Sequence, residues 1–168
     1  MLEAHSPLGA EALFQCDGVL LSEAAGFVLT QVAGDEKALQ KALGKLPARV
    51  GEDMQNGSRR LMRVGPKQIW VLGAEISAEK GIVVTPLSSG RTRLLLEGAK
   101  ARDLLASCVA LDFSTAHFKP GQFVLTGIHH TPVTIHCIGE NAFHIYTLCT
   151  FARDVWEWLC DVALGLER

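Results

Sequence analysis

Residues 131–149 show a clear alternation of apolar and polar positions. Two alternating segments, 131–138 and 142–149, flank the turn residues Gly139-Glu140-Asn141, which predicts a β-hairpin with Ile138 opposite Ala142. In that register one face is apolar and the other is mixed. The apolar face contains Val133, Ile135, Cys137, Phe143, Ile145 and Thr147, and the mixed face contains Thr134, His136, His144 and Tyr146. A slip by one residue would place apolar side chains opposite polar ones, so the pattern also predicts the register.

The next segment, 150–164, predicts an amphipathic helix with Thr150 as its N-cap residue. Its charged residues recur three or four positions apart, at Arg153, Asp154, Glu157 and Asp161. The predicted core-facing residues are Phe151, Val155, Trp158, Leu159 and Val162, and Ala152, Trp156, Cys160 and Ala163 widen the apolar surface. This apolar surface is too wide to be covered by a single sheet. Its second edge, the side of the helix with Trp156, is therefore covered either by another part of this chain or by a protein partner.

The residues before position 26 are apolar but show no clear period. They include Phe14 and Val19, and they are interrupted by Pro7 and by an Asp17-Gly18 turn signal. We interpret residues 1–25 as an N-terminal arm that lies over another surface.

The segment 26–87 predicts a strand, a helix and a hairpin in that order. The landmarks are a strand ending at Gly34, a helix capped by Asp35 and ended by Pro47, an exposed loop at 49–58, a hairpin turn at Gly65-Pro66-Lys67 and a short helix at 77–80.

The segment 91–164 repeats this order after a seam at Ser88-Ser89-Gly90. Its strand ends before Gly98 and is followed by a helix, a break, the hairpin and the final helix. One half alone leaves a sheet face bare, and two halves packed together bury it. The sequence therefore predicts an α+β fold, a tandem of two strand-helix-hairpin modules, with residues 26–168 as a single duplicated domain.

Composition excludes several classes of function. The 168-residue chain has a formal net charge of -2 at pH 7, so it lacks the basic excess typical of proteins that bind nucleic acid or an anionic membrane. Hydrophobic residues make up 48%, yet no uninterrupted apolar run approaches the roughly 18 residues of a membrane span. The first residues lack the features of a secretory signal, and we expect a cytoplasmic protein.

The five cysteines are odd in number and form no C-x-x-C pair, which predicts free thiols rather than disulfides or a zinc site. A nucleophilic cysteine needs a base and an electropositive setting. Cys137 follows His136, but adjacent strand residues point to opposite faces. Cys108 precedes an apolar run that indicates burial. The sequence therefore predicts no catalytic residue.

Three histidines are candidates for a metal site. His136 and His144 face each other in the predicted hairpin, and alternation places His130 on the same side. Neutral histidines on a mixed sheet face are commoner, so no metal site is predicted. Asp112 is a candidate carboxylate for a pterin-type ring, or more simply a turn residue. Glycine motifs for nucleotide phosphates do not occur.

Several segments resemble the gamma subunit of heterotetrameric sarcosine oxidase. They are Gly98-Ala-Lys-Ala-Arg-Asp-Leu-Leu105, Cys108-Val-Ala-Leu-Asp-Phe113, Phe118-Lys-Pro-Gly121 and Cys149-Thr-Phe-Ala-Arg-Asp-Val-Trp-Glu-Trp-Leu159. The resemblance spans roughly residues 27–164.

This resemblance implies a fold similar to the folate-binding domain of aminomethyltransferase, the glycine-cleavage T-protein. It also implies an assembly of four different subunits that oxidatively demethylates sarcosine to glycine, forming hydrogen peroxide and passing a one-carbon unit to tetrahydrofolate. FAD, FMN, NAD and the folate site are then expected in the alpha and beta subunits and zinc in the delta subunit. No cofactor is expected on this chain.

Three hypotheses follow. In the first, the chain is a non-catalytic subunit whose surface residues Trp156, Cys160 and Phe14 contact the alpha, beta and delta subunits. In the second, it is a free-standing folate-binding transferase of T-protein type. In the third, it is a homodimer that buries the same apolar surface. We favour the first because the sequence predicts a surplus of apolar surface and no catalytic constellation.

Overall fold

The computed structural model describes residues 6–9 and 12–166. Residues 1–5, 10 and 11 of the predicted arm lie outside the described part, as do residues 167 and 168. In chain order the described elements are β1 (Leu13–Cys16), β2 (Val19–Glu23), β3 (Leu29–Gly34), α1 (Glu36–Leu43), β4 (Asp53–Asn56), β5 (Arg59–Gly65), β6 (Gln68–Leu72), β7 (Ile82–Pro86), β8 (Arg91–Glu97), α2 (Ala101–Cys108), β9 (Phe123–Ile128), β10 (Thr131–Gly139), β11 (Ala142–Leu148) and α3 (Ala152–Gly165). None of the described helices is long and apolar enough to cross a membrane.

The chain forms two compact units, which we name by their places in the sequence. The middle unit contains residues 26–89, and the terminal unit contains the residues up to Ala25 and those from Gly90 onwards. Each unit contains one antiparallel sheet.

The middle unit is a five-stranded sheet in the order β4-β5-β6-β3-β7, with α1 packed on it. Leu39 and Leu43 of α1 are buried because they lie four positions apart, on one face of the helix. They pack against apolar residues of the sheet and of the loop after the helix. Those residues are Val32, Leu46, Leu61, Ile69 and Val71.

The start of α1 is as predicted, but its end is not. Asp35 Oδ1 accepts a hydrogen bond from Ala38 N at 2.8 Å, which makes it the N-cap. The helix ends at Gly44, where the backbone φ is 80°, and not at Pro47. A left-handed glycine commonly ends a helix, and Asn56 Nδ2 donates to the free carbonyl of Leu43 at 2.7 Å.

Two further expectations for the middle unit are wrong. The predicted loop at 49–58 contains β4, which pairs with β5. Its sequence is polar because β4 is a short edge strand, where polar side chains face solvent. The predicted helix at 77–80 does not form, and the chain runs without regular structure from β6 to β7.

The terminal unit is a six-stranded sheet in the order β1-β2-β8-β11-β10-β9. Its apolar face packs against α2 and α3 around a core that includes Leu94, Leu104 and Ile135. The hairpin of β10 and β11 has the predicted register, with His136 opposite His144. A bulge at its end places Gly139, rather than Ile138, opposite Ala142.

The segment interpreted as an arm supplies two strands to this sheet. β2 pairs with β8, with Leu21 opposite Leu96, and Val19 and Leu21 are buried. Leu20 lies between them and is also apolar, which conceals the strand alternation in the sequence.

The final helix is rotated relative to the prediction. It begins at Ala152 after a short 3₁₀ turn, and no side-chain hydrogen bond caps it, so Thr150 is not its N-cap. Its buried residues are Ala152, Val155, Leu159 and Ala163. Phe151 and Trp158, expected in the core, are 39% and 38% exposed. Two alanines face the core because α3 packs on α2 and β1 as well as on β11, and small side chains permit close approach.

The predicted tandem is confirmed by the strand orders. The sequence β3, α1, β4, β5, β6 of the middle unit corresponds to β8, α2, β9, β10, β11 of the terminal unit, and each set occupies the same positions in its sheet. The two units differ in the strand that pairs with the other side of β3 or β8, away from the hairpin. For β3 that strand is β7, which follows the hairpin in the chain. For β8 it is β2, which comes from the other end of the chain.

Gly34 and Gly98 have the same role in the two units. A Cβ on Gly34 would lie 2.8 Å from the carbonyl oxygen of Gly81, where the chain enters β7. A Cβ on Gly98 would overlap the carbonyl oxygen of Gly18, where the chain enters β2. Glycine therefore permits the neighbouring strand to start close to the end of β3 or β8.

Arg63 of β5, which is only 7% exposed, forms hydrogen bonds to several segments of the middle unit. Its Nε donates to the carbonyl of Pro47 at 2.7 Å and its Nη1 to that of Pro66 at 3.2 Å. The two Nη atoms also bind the Glu36 carboxylate, at 3.0 and 2.9 Å. The guanidinium thus connects the start of α1, the loop after it and the turn of the hairpin.

The terminal unit has a comparable arginine, Arg102 of α2. Its Nε donates to the carbonyl of Glu140 at 2.7 Å, and its Nη1 donates to the carbonyls of Phe118, at 3.0 Å, and Phe113. The guanidinium carbon lies 5.1 Å from the centroid of the Phe143 ring. Arg102 therefore connects the loop after α2 with the turn of the β10–β11 hairpin.

Substitution of Arg102 by leucine is expected to lower the free energy of unfolding by about 2–3 kcal/mol, because charged hydrogen bonds to three carbonyls are lost. Chemical denaturation measures this change. Arg153→Leu is the matched control, since Arg153 forms an exposed i,i+4 pair with Glu157, and its effect is expected to stay within about 0.5 kcal/mol. Equal effects of the two substitutions would contradict the role of Arg102.

Glu36→Gln tests the contact between Glu36 and Arg63. The hydrogen bond from Arg63 lowers the pKa of Glu36 below its ordinary value of 4.5, so the ionised carboxylate contributes stability above that value and loses it as the pH falls through the lowered pKa. The stability advantage of the wild type over Glu36→Gln is therefore expected to be complete at neutral pH and to shrink below about pH 4.5. Denaturation at several pH values measures it, with the exposed Glu79→Gln as control; a constant advantage down to low pH would be the contrary result.

Candidate partner interface

The mixed face of the β10–β11 hairpin carries a row of aromatic side chains. His136 and His144 lie opposite each other with ring centroids 6.4 Å apart, and His144 lies 6.0 Å from Tyr146. His136 and Tyr146 are each only 1% exposed. The row is a buried part of the fold rather than an open site.

The third predicted histidine lies elsewhere. His130 belongs to the two-residue turn between β9 and β10, where its ring centroid is 4.2 Å from that of His129. Within residues 6–9 and 12–166, no group of three or more metal-ligating side chains is found. Strand alternation continued through the turn suggested a shared face, but a turn interrupts that alternation.

Three of the thiols are poorly suited to nucleophilic chemistry. Burial raises the pKa of Cys108 and of Cys160 to about 11. Burial also raises the pKa of Cys137, against the opposing effect of Arg102, whose Nη2 is 3.8 Å from the sulfur. Since the thiolate is the reactive form, we expect these cysteines to react slowly at neutral pH.

Asp112, the candidate carboxylate for a pterin-type ring, lies exposed in the loop after α2. Its Oδ1 accepts a hydrogen bond from Ser114 N at 2.8 Å, and this contact lowers the pKa of Asp112. The carboxylate thus stabilises its own turn, as in an Asx-turn.

The predicted interface residues Phe14, Trp156 and Cys160 are half-buried and pack against the core of the terminal unit. Phe14 lies on β1, which contacts α3, the helix that carries Trp156 and Cys160. The N-terminal strands therefore contribute to covering the second edge of α3, one of the two alternatives that the sequence left open.

A cleft of about 490 Å³ lies on the exposed side of α3. Its aromatic residues are His129, His130, Phe151 and Trp158, its carboxylates are Asp154, Glu157 and Asp161, and Thr131 completes the lining. The ring of His129 is stacked on Trp158, with centroids 4.3 Å apart and planes inclined by 10°.

The backbone of the β9–β10 turn positions this stack. His129 has φ 54°, a left-handed conformation that is uncommon for a residue other than glycine. The cleft was not predicted, although the spacing of Asp154, Glu157, Trp158 and Asp161 by three and four residues places them on one side of a helix. No pattern in the sequence indicated that His129 stacks on Trp158.

The sarcosine oxidase gamma subunit family model matches residues 3–165, which is nearly the whole chain. The chain belongs to this family. The resemblance identified from the sequence is thereby confirmed. A comparison with curated protein sequences finds no match.

Two solved structures show the same fold as this gamma subunit. One is the heterotetrameric sarcosine oxidase from Corynebacterium sp. U-96 in complex with pyrrole 2-carboxylate, of which one chain matches with a TM-score of 0.79 and 24% identity, over 89% of this chain and 86% of that chain. The other is the glycine cleavage system aminomethyltransferase T from Bartonella henselae, with a TM-score of 0.62 and 18% identity, over 85% of this chain. The match covers 45% of the aminomethyltransferase chain, so the gamma subunit corresponds to less than half of it.

The two tryptophans of α3 are expected to respond differently to substitution. Trp156→Ala removes a side chain packed on the core and is expected to lower the free energy of unfolding of the isolated chain by about 2–4 kcal/mol. Trp158→Ala removes a ring that is 38% exposed and lies outside the core, and it is expected to cost less than Trp156→Ala, about 1 kcal/mol. Urea denaturation of both variants checks this, and a larger loss for Trp158→Ala would contradict the orientation of α3.

Proposed function

We propose that this gamma subunit is a non-catalytic, structural member of a multi-subunit sarcosine oxidase. Family membership over residues 3–165 carries the proposal. In the proposed assembly, sarcosine is oxidatively demethylated to glycine and the one-carbon unit passes to tetrahydrofolate. The other members are alpha, beta and delta subunits, as the heterotetrameric state of the Corynebacterium enzyme suggests, and the assembly works in the cytoplasm.

The chemistry of the side chains supports a structural role. Burial raises the pKa of Cys108, Cys137 and Cys160, and Asp112 serves its own turn. These candidate side chains are therefore poorly suited to catalysis. We therefore place FAD, FMN, NAD, tetrahydrofolate and zinc in the partner subunits.

The distribution of apolar side chains supports contact with partners. Phe151, Trp158 and Leu164 of the α3 region are exposed, as is Leu13 of β1. The half-buried Phe14, Trp156 and Cys160 lie on the same two elements. We propose that α3 and β1 together present the surface that other subunits cover, because exposed apolar patches commonly mark interfaces.

Copurification tests this proposal. The tagged full chain, purified from its native cell, is expected to retain other subunits, bound flavin and sarcosine-dependent peroxide formation. The chain expressed alone is expected to be colourless and inactive with sarcosine. A yellow or active isolated chain would contradict the structural role.

The two alternative hypotheses, a folate-binding transferase and a homodimer, are each tested by a separate measurement on the isolated chain. Tetrahydrofolate binding by the isolated chain at micromolar concentration, measured by calorimetry, would favour the folate-binding transferase. Light scattering at the mass of two chains would favour the homodimer.

A further inference from the structure

We propose that the cleft beside α3 binds an arginine-bearing segment of another subunit of the assembly. The inference rests on the proposed function, because it needs a partner protein, and it adds the place and the chemistry of one contact. The occupant is defined by charge and by aromatic stacking, and both are visible in the cleft.

The cleft combines an aromatic surface with negative charge. Phe151 and Trp158 are 39% and 38% exposed in it. The carboxylates of Asp154, Glu157 and Asp161 also line it, and no lysine or arginine belongs to the lining. Arg153 neutralises one of these three carboxylates by pairing with Glu157 at 3.2 Å across one turn of α3. The cleft therefore retains an excess of negative charge.

A guanidinium group matches this combination better than other side chains do. It stacks on aromatic rings and binds carboxylates through two parallel hydrogen bonds, whereas an ammonium group is a strongly hydrated point charge. Tryptophan and arginine are also, with tyrosine, the side chains enriched at the energetic centres of protein interfaces.

The cleft is arranged before a partner arrives. His129 is stacked on the indole of Trp158, and this contact restricts the rotation of the ring. A ring already held in place loses less conformational entropy on binding, so more of the contact energy remains as affinity.

The test compares tagged full chains that carry Asp154→Lys, Trp158→Ala or Asp103→Lys, each coexpressed with the other subunits. Asp103 is the matched control, because it is an exposed aspartate in the first turn of α2, as Asp154 is in the first turn of α3. Partner affinity is measured by titration at increasing NaCl concentration. Circular dichroism verifies that each variant is folded, and Asp154→Asn provides a milder change.

Both cleft variants are expected to bind the partner about tenfold more weakly or worse, and Asp103→Lys is expected to stay within about twofold of the wild type. Asp154→Asn is expected to lie between the wild type and Asp154→Lys and to show a weaker salt dependence. Wild-type affinity in both Asp154→Lys and Trp158→Ala would overturn the inference and leave the proposed function intact. An effect of Trp158→Ala alone would also overturn it, since the occupant would then be apolar.

Two results would overturn the inference in other ways. Loss of a dimer of this chain, rather than of a partner subunit, in the cleft variants would identify a second copy as the occupant. A wild-type chain that retains no other subunit would overturn the inference and the proposed function together.

Discussion

Each unit depends on one guanidinium group that donates to backbone carbonyls which the strands leave free. Arg63 and Arg102 lie on different elements, a strand and a helix, yet both connect the loop after the helix with the turn of the hairpin. Loops and turns lack a ladder of hydrogen bonds, so a charged donor with several partners is an effective way to hold them. The two units thus satisfy the same constraint with residues that do not correspond in sequence.

Much of the fold was predictable because its signals are local. The period of two in β10 and β11 predicted their register to the residue, and the bulge at Gly139 changes only the end of the hairpin. Gly34 and Gly98 revealed the tandem because each must let a neighbouring strand approach, which no larger residue permits. Asp35 predicted the start of α1, since capping requires only the next three residues.

The remaining features depend on contacts between segments distant in sequence. β1 and β2 showed no period, because their pairing with β8 decides their structure. The orientation of α3 depends on α2 and β1, so Trp158 faces the cleft rather than the core. The candidate site was predictable only in part: its carboxylates share a helix face in the sequence, whereas His129 reaches Trp158 through a turn whose conformation no local pattern indicates.

β7 and β2, which pair with β3 and β8, come from different parts of the chain, and this difference affects the order of folding during synthesis on the ribosome. All strands of the middle unit lie within residues 26–89, so its sheet is complete in the nascent chain before β8 is made. β2 is made before β8 and can pair with it only once β8 has emerged. In the completed middle sheet Thr30 lies opposite Pro86, so the two ends of that unit are already close together and the loop that this pairing closes is short. The N-terminal strands consequently remain exposed while the rest of the polypeptide emerges, and the terminal sheet forms last.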